Sequence, residues 1–207
     1  DYLLKEVHHR VKNNLHTIFC LLESQAIFLK DEALVAIESS RNRIFAMSLL
    51  HQKLYQSDNI KEVDMSHYFN EFLIFLRQSY ALEARKIDIH QQIQHLDLDV
   101  TVAIPLALIV NESVTNSIKH AFSGESGGRI DISLIVDHQL VILTIKDNGT
   151  GFELADGHND QSFGLELMRG LSQDINAKIG FETAHGTTIK ITFALEEEQK
   201  NREFGIS

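Results

Sequence analysis

Apolar positions recur through the first thirty residues at Leu4, Val7, Val11, Leu15, Ile18, Leu22, Ala26 and Leu29, in steps of 3, 4, 4, 3, 4, 4 and 3. The mean step of about 3.6 is the period of an α-helix, so a single stripe is predicted along a long first helix. Asp31 is placed to cap a second helix from Glu32 to about Tyr55, with Leu34, Ile37, Ile44, Met47 and Leu54 on its apolar side. The short break at Leu29–Glu32 predicts an antiparallel hairpin. A stripe of this length needs partners, so a helical bundle is expected, closed by a second copy or by later helices.

Beyond a loop at Ser57-Asp58-Asn59 the pattern changes. Phe69, Phe72, Leu73 and Leu76 predict a helix over Met65–Tyr80, and Ile87 to Gln91 alternates as a strand does. Ile104–Ala121 reads as a helix with Pro105 in its first turn, where a missing N–H costs no bond. Strands are predicted at Arg129–Val136 and Leu140–Lys146, joined by a turn at Asp137-His138. A helix at Phe163–Ile175 and a hairpin of Lys178–Thr183 with Thr187–Ala194 follow. The expected fold class is α+β. A helical hairpin over 1–62 precedes an α/β sandwich over 63–195, with helices on one face of a mixed sheet, and a polar tail closes the chain at 196–207.

Composition narrows the picture. The 207 residues suffice for one large domain or two small ones, and 43% hydrophobic with 23% charged residues is ordinary for a folded protein. A formal charge of −10 excludes a duplex-binding surface, so no nucleic acid partner is expected. Cys20 stands alone, which excludes an internal disulfide and a multi-cysteine zinc site. With no run approaching 18 apolar residues, no membrane segment is expected in the chain. Asp1 to Arg10 is charged and helical in pattern, unlike a signal peptide, and suggests a piece of something longer. All 11 glycines lie from Gly124 onward, which puts the turns and the ligand loops in the second half.

Four groups of residues suggest chemistry. In Glu6-Val7-His8-His9-Arg10-Val11-Lys12-Asn13-Asn14-Leu15, helix geometry places His8 about 50° from the stripe centre and His9 about 150° away, facing outward with Asn13 and His16. A histidine that meets an external reactant is the outward one. In the second group Asn111, Glu112, Asn116, Lys119 and His120 form a polar line on an apolar helix, with Glu112, Asn116 and Lys119 on one face. Carboxylate, carboxamide and ammonium together suit a hydrated Mg²⁺ and polyphosphate oxygens, although a solvated face has the same look. Third, Asp147-Asn148-Gly149-Thr150-Gly151-Phe152 follows a strand, and after a loop Phe163-Gly164-Leu165 opens a helix. Asp147 can accept from an amino group such as adenine N6, the glycines admit close backbone, and the helix start presents N–H groups to phosphate. Neither a P-loop nor G-x-G-x-x-G is present. The fourth group, Gly186-Thr187-Thr188, starts a strand, where a threonine can reach a base through water.

The order N-E-x-x-x-N-x-x-K-H, D-x-G-x-G-F, F-G-L and G-T-T resembles the GHKL-type ATP-binding domain of histidine kinases. The upstream E-x-H-H-R-x-K-N-N-L, with Arg43 to Tyr55, resembles the phosphoacceptor hairpin of the HisKA_2 sensor histidine kinases, relatives of the HWE group, whose tryptophan signature this chain lacks. The resemblance covers about residues 3 to 195. It implies an enzyme of a two-component system. By that resemblance the protein would use ATP to phosphorylate its own His9, and the phosphoryl group would pass to an aspartate on the receiver domain of a response regulator. It implies ATP and Mg²⁺ as ligands, with Asn116 on the metal and Asn111, Lys119 and His120 near the phosphates. Asp147 would read adenine, Gly149, Gly151 and Phe152 would shape the pocket, and Glu153 to Ser162 would form a short lid. Phe163, Gly164 and Leu165 would open the helix behind the lid, and Thr187 and Thr188 would border the base. Glu112 stands where relatives place an acidic base; Glu6, or neutral imidazole with no base, remain alternatives. An upstream sensor outside the chain, a cytoplasmic location and either a monomer or a homodimer fit this reading. The competing readings are an ATP-binding module without autokinase activity and a purely helical interaction module.

Overall fold

The computed structural model describes residues 2–56, 62–122, 127–151, 163–183 and 185–195, with side chains for all of these except 2–5, 7–9, 32, 55 and 56. Two long helices, α1 (Tyr2–Ala26) and α2 (Asp31–Gln56), form the expected antiparallel hairpin about a turn at 27–30. There follow β1 (Glu62–Asp64), α3 (Met65–Ser79), β2 (Ile87–Ile93), β3 (Asp97–Asp99), α4 (Val100–Asn116), β4 (Gly128–Asp137), β5 (Leu140–Asp147), α5 (Phe163–Asp174), β6 (Lys178–Glu182) and β7 (Thr188–Ala194). At its C-terminal end α4 widens into a π-helical turn over Ser117–Ala121.

The main sheet has the order β2-β4-β5-β7-β6. β2 runs parallel to β4 and the other pairs are antiparallel, so the sheet is mixed, as expected. Ile130, Ile132 and Leu134 of β4, Val141, Leu143 and Ile145 of β5, and Ile189, Ile191 and Phe193 of β7 are all buried. They alternate with half-buried or exposed residues, so one face of the sheet carries the core. α3 and α4 supply the other half of the core, through Phe69, Phe72, Leu73 and Leu76 and through Leu106, Ile109, Val110 and Val114. α4 is buried along most of its length because it is central, and its first eleven residues are almost all apolar. The Val100–Ala121 stretch has no unbroken apolar run but is long and apolar enough on average to cross a membrane, and it is 72% buried as the core helix of this domain.

Several local expectations need correction. α4 begins at Val100, not Ile104, because Asp99 caps it, accepting from Thr101 N at 2.9 Å and Thr101 Oγ1 at 2.6 Å. Pro105 therefore lies inside the helix rather than in its first turn. Its missing N–H leaves the carbonyl of Thr101 without an intrahelical donor, and water reaches that exposed residue. The strands β1 and β3 pair with each other in a two-stranded ribbon that alternation did not reveal, since three residues carry no readable period. The turn between β4 and β5 sits at His138-Gln139, one residue later than predicted.

α2 has a second buried face. Ala46, Leu49, Leu50 and Leu54 enter the same core as α3 and α4, while Leu34, Ile37, Ile44 and Met47 of the predicted stripe are half-buried. The helix lies between α1 on one side and α3 and α4 on the other, so no single stripe describes it. Phe45 shows both neighbours, stacking on Phe75 of α3 at 3.5 Å between centroids and meeting Phe19 of α1 at 6.1 Å. Here later helices do part of the covering that the hairpin required. Ile18, Leu21, Ile27, Phe28 and Val35 nevertheless remain exposed on it.

Candidate active site at the C-terminal half of α4

The last residue of β5 is Asp147, which is 2% exposed. Its Oδ1 accepts from Gly149 N at 2.9 Å and Thr187 N at 3.0 Å, and its Oδ2 accepts from Ser117 Oγ at 2.7 Å. The carboxylate is thereby fixed from three directions: its own loop, the start of the β7 segment and the π-helical turn of α4. The glycines make this approach possible. A Cβ on Gly149 would lie 2.3 Å from the carbonyl oxygen of Ala121, and one on Gly186 would lie 2.1 Å from that of Asp147. Gly151 and Gly186 also take φ of +70° and +81°. Thr150 N donates to Ala121 O at 3.0 Å, tying the loop to α4. Thr187 thus contributes through its backbone, and Thr188 is half-buried in β7 opposite Lys146. Phe152 and the expected lid lie outside the described residues.

One helical turn back along α4, Glu112 is 4% exposed. Arg43 of α2 grips both its oxygens, Nε to Oε1 and Nη2 to Oε2, each at 2.7 Å. Asn111 Nδ2 donates to Oε1 at 3.0 Å. The Glu112 carboxylate raises the pKa of the Arg43 guanidinium despite its burial. Arg43 also lies over the ring of Phe163, 5.1 Å from its centroid. Phe163 opens α5 with most of its surface exposed, and Leu165 is half-buried one step on. Gly164 faces α4: a Cβ there would be 3.3 Å from Asn116 Nδ2 and 3.4 Å from Glu112 Oε2. Lys119 Nζ donates to Ser39 Oγ of α2 at 2.7 Å. Burial lowers its pKa, with Glu38 and Glu112 opposing that shift. His120 is exposed.

The structure therefore brings Glu112, Asn116 and Lys119 onto the expected common face, and Ser117, between Asn116 and Lys119, holds Asp147 from the same helix. A divalent cation fits the donor chemistry of this face. Asn116 and Asn111 offer carboxamide oxygens, and Asn111 Oδ1 is buried without a hydrogen-bond partner among the described residues. His9 lies in α1, but its side chain is outside the described residues. Its expected outward neighbours Asn13 and His16 are exposed. Glu6, the alternative base, is held by Arg10 Nε at 2.9 Å on the helix surface.

Sequence reasoning missed the roles of Ser117, Arg43 and Ser39. A serine inside an otherwise buried helix was the available signal for Ser117. Arg43 and Ser39 act on residues 69 and 80 positions away, a separation that no local pattern reports.

Comparison with known proteins agrees with this geometry. Residues 6–80 match the HisKA_2 family model, described as "Histidine kinase". Residues 101–197 match HATPase_c, described as "Histidine kinase-, DNA gyrase B-, and HSP90-like ATPase". The chain is 27% identical to blue-light-activated histidine kinase 2 of Erythrobacter litoralis, with 96% of this chain and 59% of that protein aligned. It is 28% identical to the sensor histidine kinase PdtaS of Mycobacterium tuberculosis, over 89% of this chain and 37% of that protein. It thus spans well under two thirds of either relative. The solved histidine kinase domain of an Erythrobacter litoralis blue-light-activated kinase superposes with a TM-score of 0.71 at 19% identity, covering 91% of this chain and 97% of that one. With a HisKA_2 hairpin followed by a HATPase_c domain, the chain belongs to the histidine kinase family.

Proposed function

We propose that the chain is the catalytic core of a sensor histidine kinase that phosphorylates His9 with ATP and passes the phosphoryl group to an aspartate of a response regulator. The observation that carries the reading is the joint placement of Asp147 and the Glu112–Asn116–Lys119 face by one helix. A buried carboxylate with fixed geometry accepts the amino group of adenine, and the polar face of the helix that holds this carboxylate through Ser117 meets the phosphates. Gly149, Gly151 and Gly186 let backbone line the base, with Thr187 and Thr188 at its edge.

Lys119 neutralises phosphate charge, His120 and Asn111 border the same end, and Asn116 is the residue that would hold Mg²⁺. When bound, the ion supplies charge neutralisation at the phosphate oxygens. A ring nitrogen of His9 attacks the γ-phosphorus, the bond from that phosphorus to the bridging oxygen breaks, and ADP leaves. The imidazole proton passes to Glu112 or to water. An ordinary imidazole is largely neutral at pH 7, so the nucleophile needs little activation and positioning supplies most of the rate. The outward face of α1 around His9, bordered by Lys12, Asn13 and His16, docks the receiver domain. Exposed Ile18, Leu21, Ile27, Phe28 and Val35 on the hairpin favour closure of the bundle by a second copy. The working location is the cytoplasm, where nucleotide and receiver meet, under a sensor contributed by residues outside this chain.

Incubation with γ-labelled ATP and Mg²⁺ tests the reading. The chain should acquire an acid-labile, alkali-stable label that is lost in His9→Ala and kept in His8→Ala. Release of free phosphate with no labelled protein would instead mark an ATPase module. A label retained in His9→Ala would remove His9 from its role.

A further inference from the structure

Two ionisable side chains of the phosphate-side face already have partners on α2. Glu112 takes both prongs of the Arg43 guanidinium at 2.7 Å, and Lys119 donates to Ser39 Oγ at 2.7 Å. Ser39 and Arg43 are four residues apart, so one face of α2 makes both contacts across one turn. Arg43 extends the cover to the start of α5 through the Phe163 ring. The acceptor held against Lys119 is a neutral hydroxyl, sitting where the proposed reading puts a phosphate oxygen. The carboxylate that the same reading offers as base has each of its oxygens occupied by a guanidinium N–H.

The rest of α2 is anchored differently. Ala46, Leu50 and Leu54 are buried in the domain core, and Phe45 stacks on Phe75. Asn42 Nδ2 donates to the hydroxyl of Tyr80 at 2.7 Å. The apolar anchor sits in the C-terminal half, while Ser39 and Arg43 lie toward the middle of the helix. A polyphosphate offers Lys119 anionic acceptors, which attract an ammonium by full charge where a hydroxyl offers only a dipole. Occupation of the site therefore works against the Ser39 contact while leaving the apolar anchor in place.

Resting on the kinase reading above, we propose that this arrangement is an autoinhibitory latch. Ser39 competes with the polyphosphate of a nucleoside triphosphate for Lys119, Arg43 keeps Glu112 from acting as a base, and nucleotide binding releases the middle of α2. Because α2 continues through the 27–30 turn into α1, release of its middle also moves the helix that carries His9.

The test uses the full chain, Mg²⁺ and a non-hydrolysable ATP analogue, so that binding is read without turnover. Ser39→Ala removes a half-buried hydroxyl and leaves every charge in place. It should tighten binding of the analogue about threefold or more, the worth of one modest hydrogen bond. In the wild-type chain the analogue should raise backbone amide exchange over residues 36–41. Equal or weaker affinity in Ser39→Ala, or exchange over 36–41 that is unchanged or slower with analogue, overturns the latch and leaves the kinase reading standing. No analogue binding by either protein overturns both.

Discussion

Replacing Asp147 by Ala and by Asn separates what its carboxylate does for the fold from what it does for a ligand. The carboxylate accepts three hydrogen bonds, from Gly149 N, Thr187 N and Ser117 Oγ, at 2.9, 3.0 and 2.7 Å. Asp147→Ala leaves three donors without that acceptor. Bonds to a charged acceptor contribute about 1.5–3 kcal/mol each, and water entering the vacated space recovers part of their sum, so a loss of about 3–5 kcal/mol is expected. At a denaturant slope of about 2.5 kcal/mol/M this moves the urea midpoint down by about 1–2 M. Asp147→Asn keeps an oxygen for the two backbone N–H groups. Its amide NH₂ turns toward Ser117, whose hydroxyl rotates to accept, so stability falls by only about 1 kcal/mol. An adenine amino group is not spared in the same way: it loses its charged acceptor, and ATP affinity should fall by about 2–4 kcal/mol, or roughly 30- to 1,000-fold. Urea unfolding followed by circular dichroism and titration with a fluorescent ATP analogue read the two effects. A wild-type midpoint in Asp147→Ala would show that the three bonds do not hold the loops together. Wild-type affinity in Asp147→Asn would remove Asp147 from base recognition.

Three further perturbations follow from the same structure. Gly186→Ala forces a Cβ to 2.1 Å from the carbonyl oxygen of Asp147 at a φ of +81°, so it should lose about 2 kcal/mol or more and weaken nucleotide binding. Gly170→Ala, in α5 with nothing within 4 Å of the new Cβ, should instead gain about 0.5–1 kcal/mol, and equal urea midpoints for the two variants would refute the steric account. Burial lowers the pKa of His51 in α2 from 6.5, so the unfolded chain binds the proton more readily. Its contribution is present above pH 6.5 and is lost as the pH falls from there through the lower folded value, so the urea midpoint should drop between about pH 7 and 5, less so in His51→Gln. An identical acid profile in that variant would assign the loss to other groups.

The hairpin, α3, the sheet strands and α5 were readable because each has a period that its own residues repeat. Asp147 with Gly149 and Gly151, and the Glu112–Asn116–Lys119 face, were readable because their chemistry sits within one loop or one helix. What escaped depends on contacts between distant segments. The stripe predicted for α2 is one face, yet Ala46, Leu49 and Leu50, outside it, serve a second neighbour whose residues come later in the chain. Pro105 reads as a helix-start marker, but the Asp99 cap overrides that preference and starts the helix five residues earlier. Ser117 and Arg43 acquire their roles only when folding brings up Asp147 and Glu112. Buried polar residues in an apolar helix were the sole trace of those pairings in the sequence.

The π-helical turn at Ser117–Ala121 has a consequence for the loop that follows β5. Ordinary α-winding already turns Ser117 about 140° away from Glu112, so the first faces Asp147 and the second faces α2. A π turn holds roughly one residue more than an α turn, so the end of this segment is swung further round than continuous α-winding would bring it. The carbonyls there accept from Arg85 and Thr150, at 2.6 Å to Ile118 O and 3.0 Å to Ala121 O. Removing a single residue from this stretch would turn the Ala121 carbonyl away from Thr150 and loosen the loop without altering any side chain that Asp147 meets.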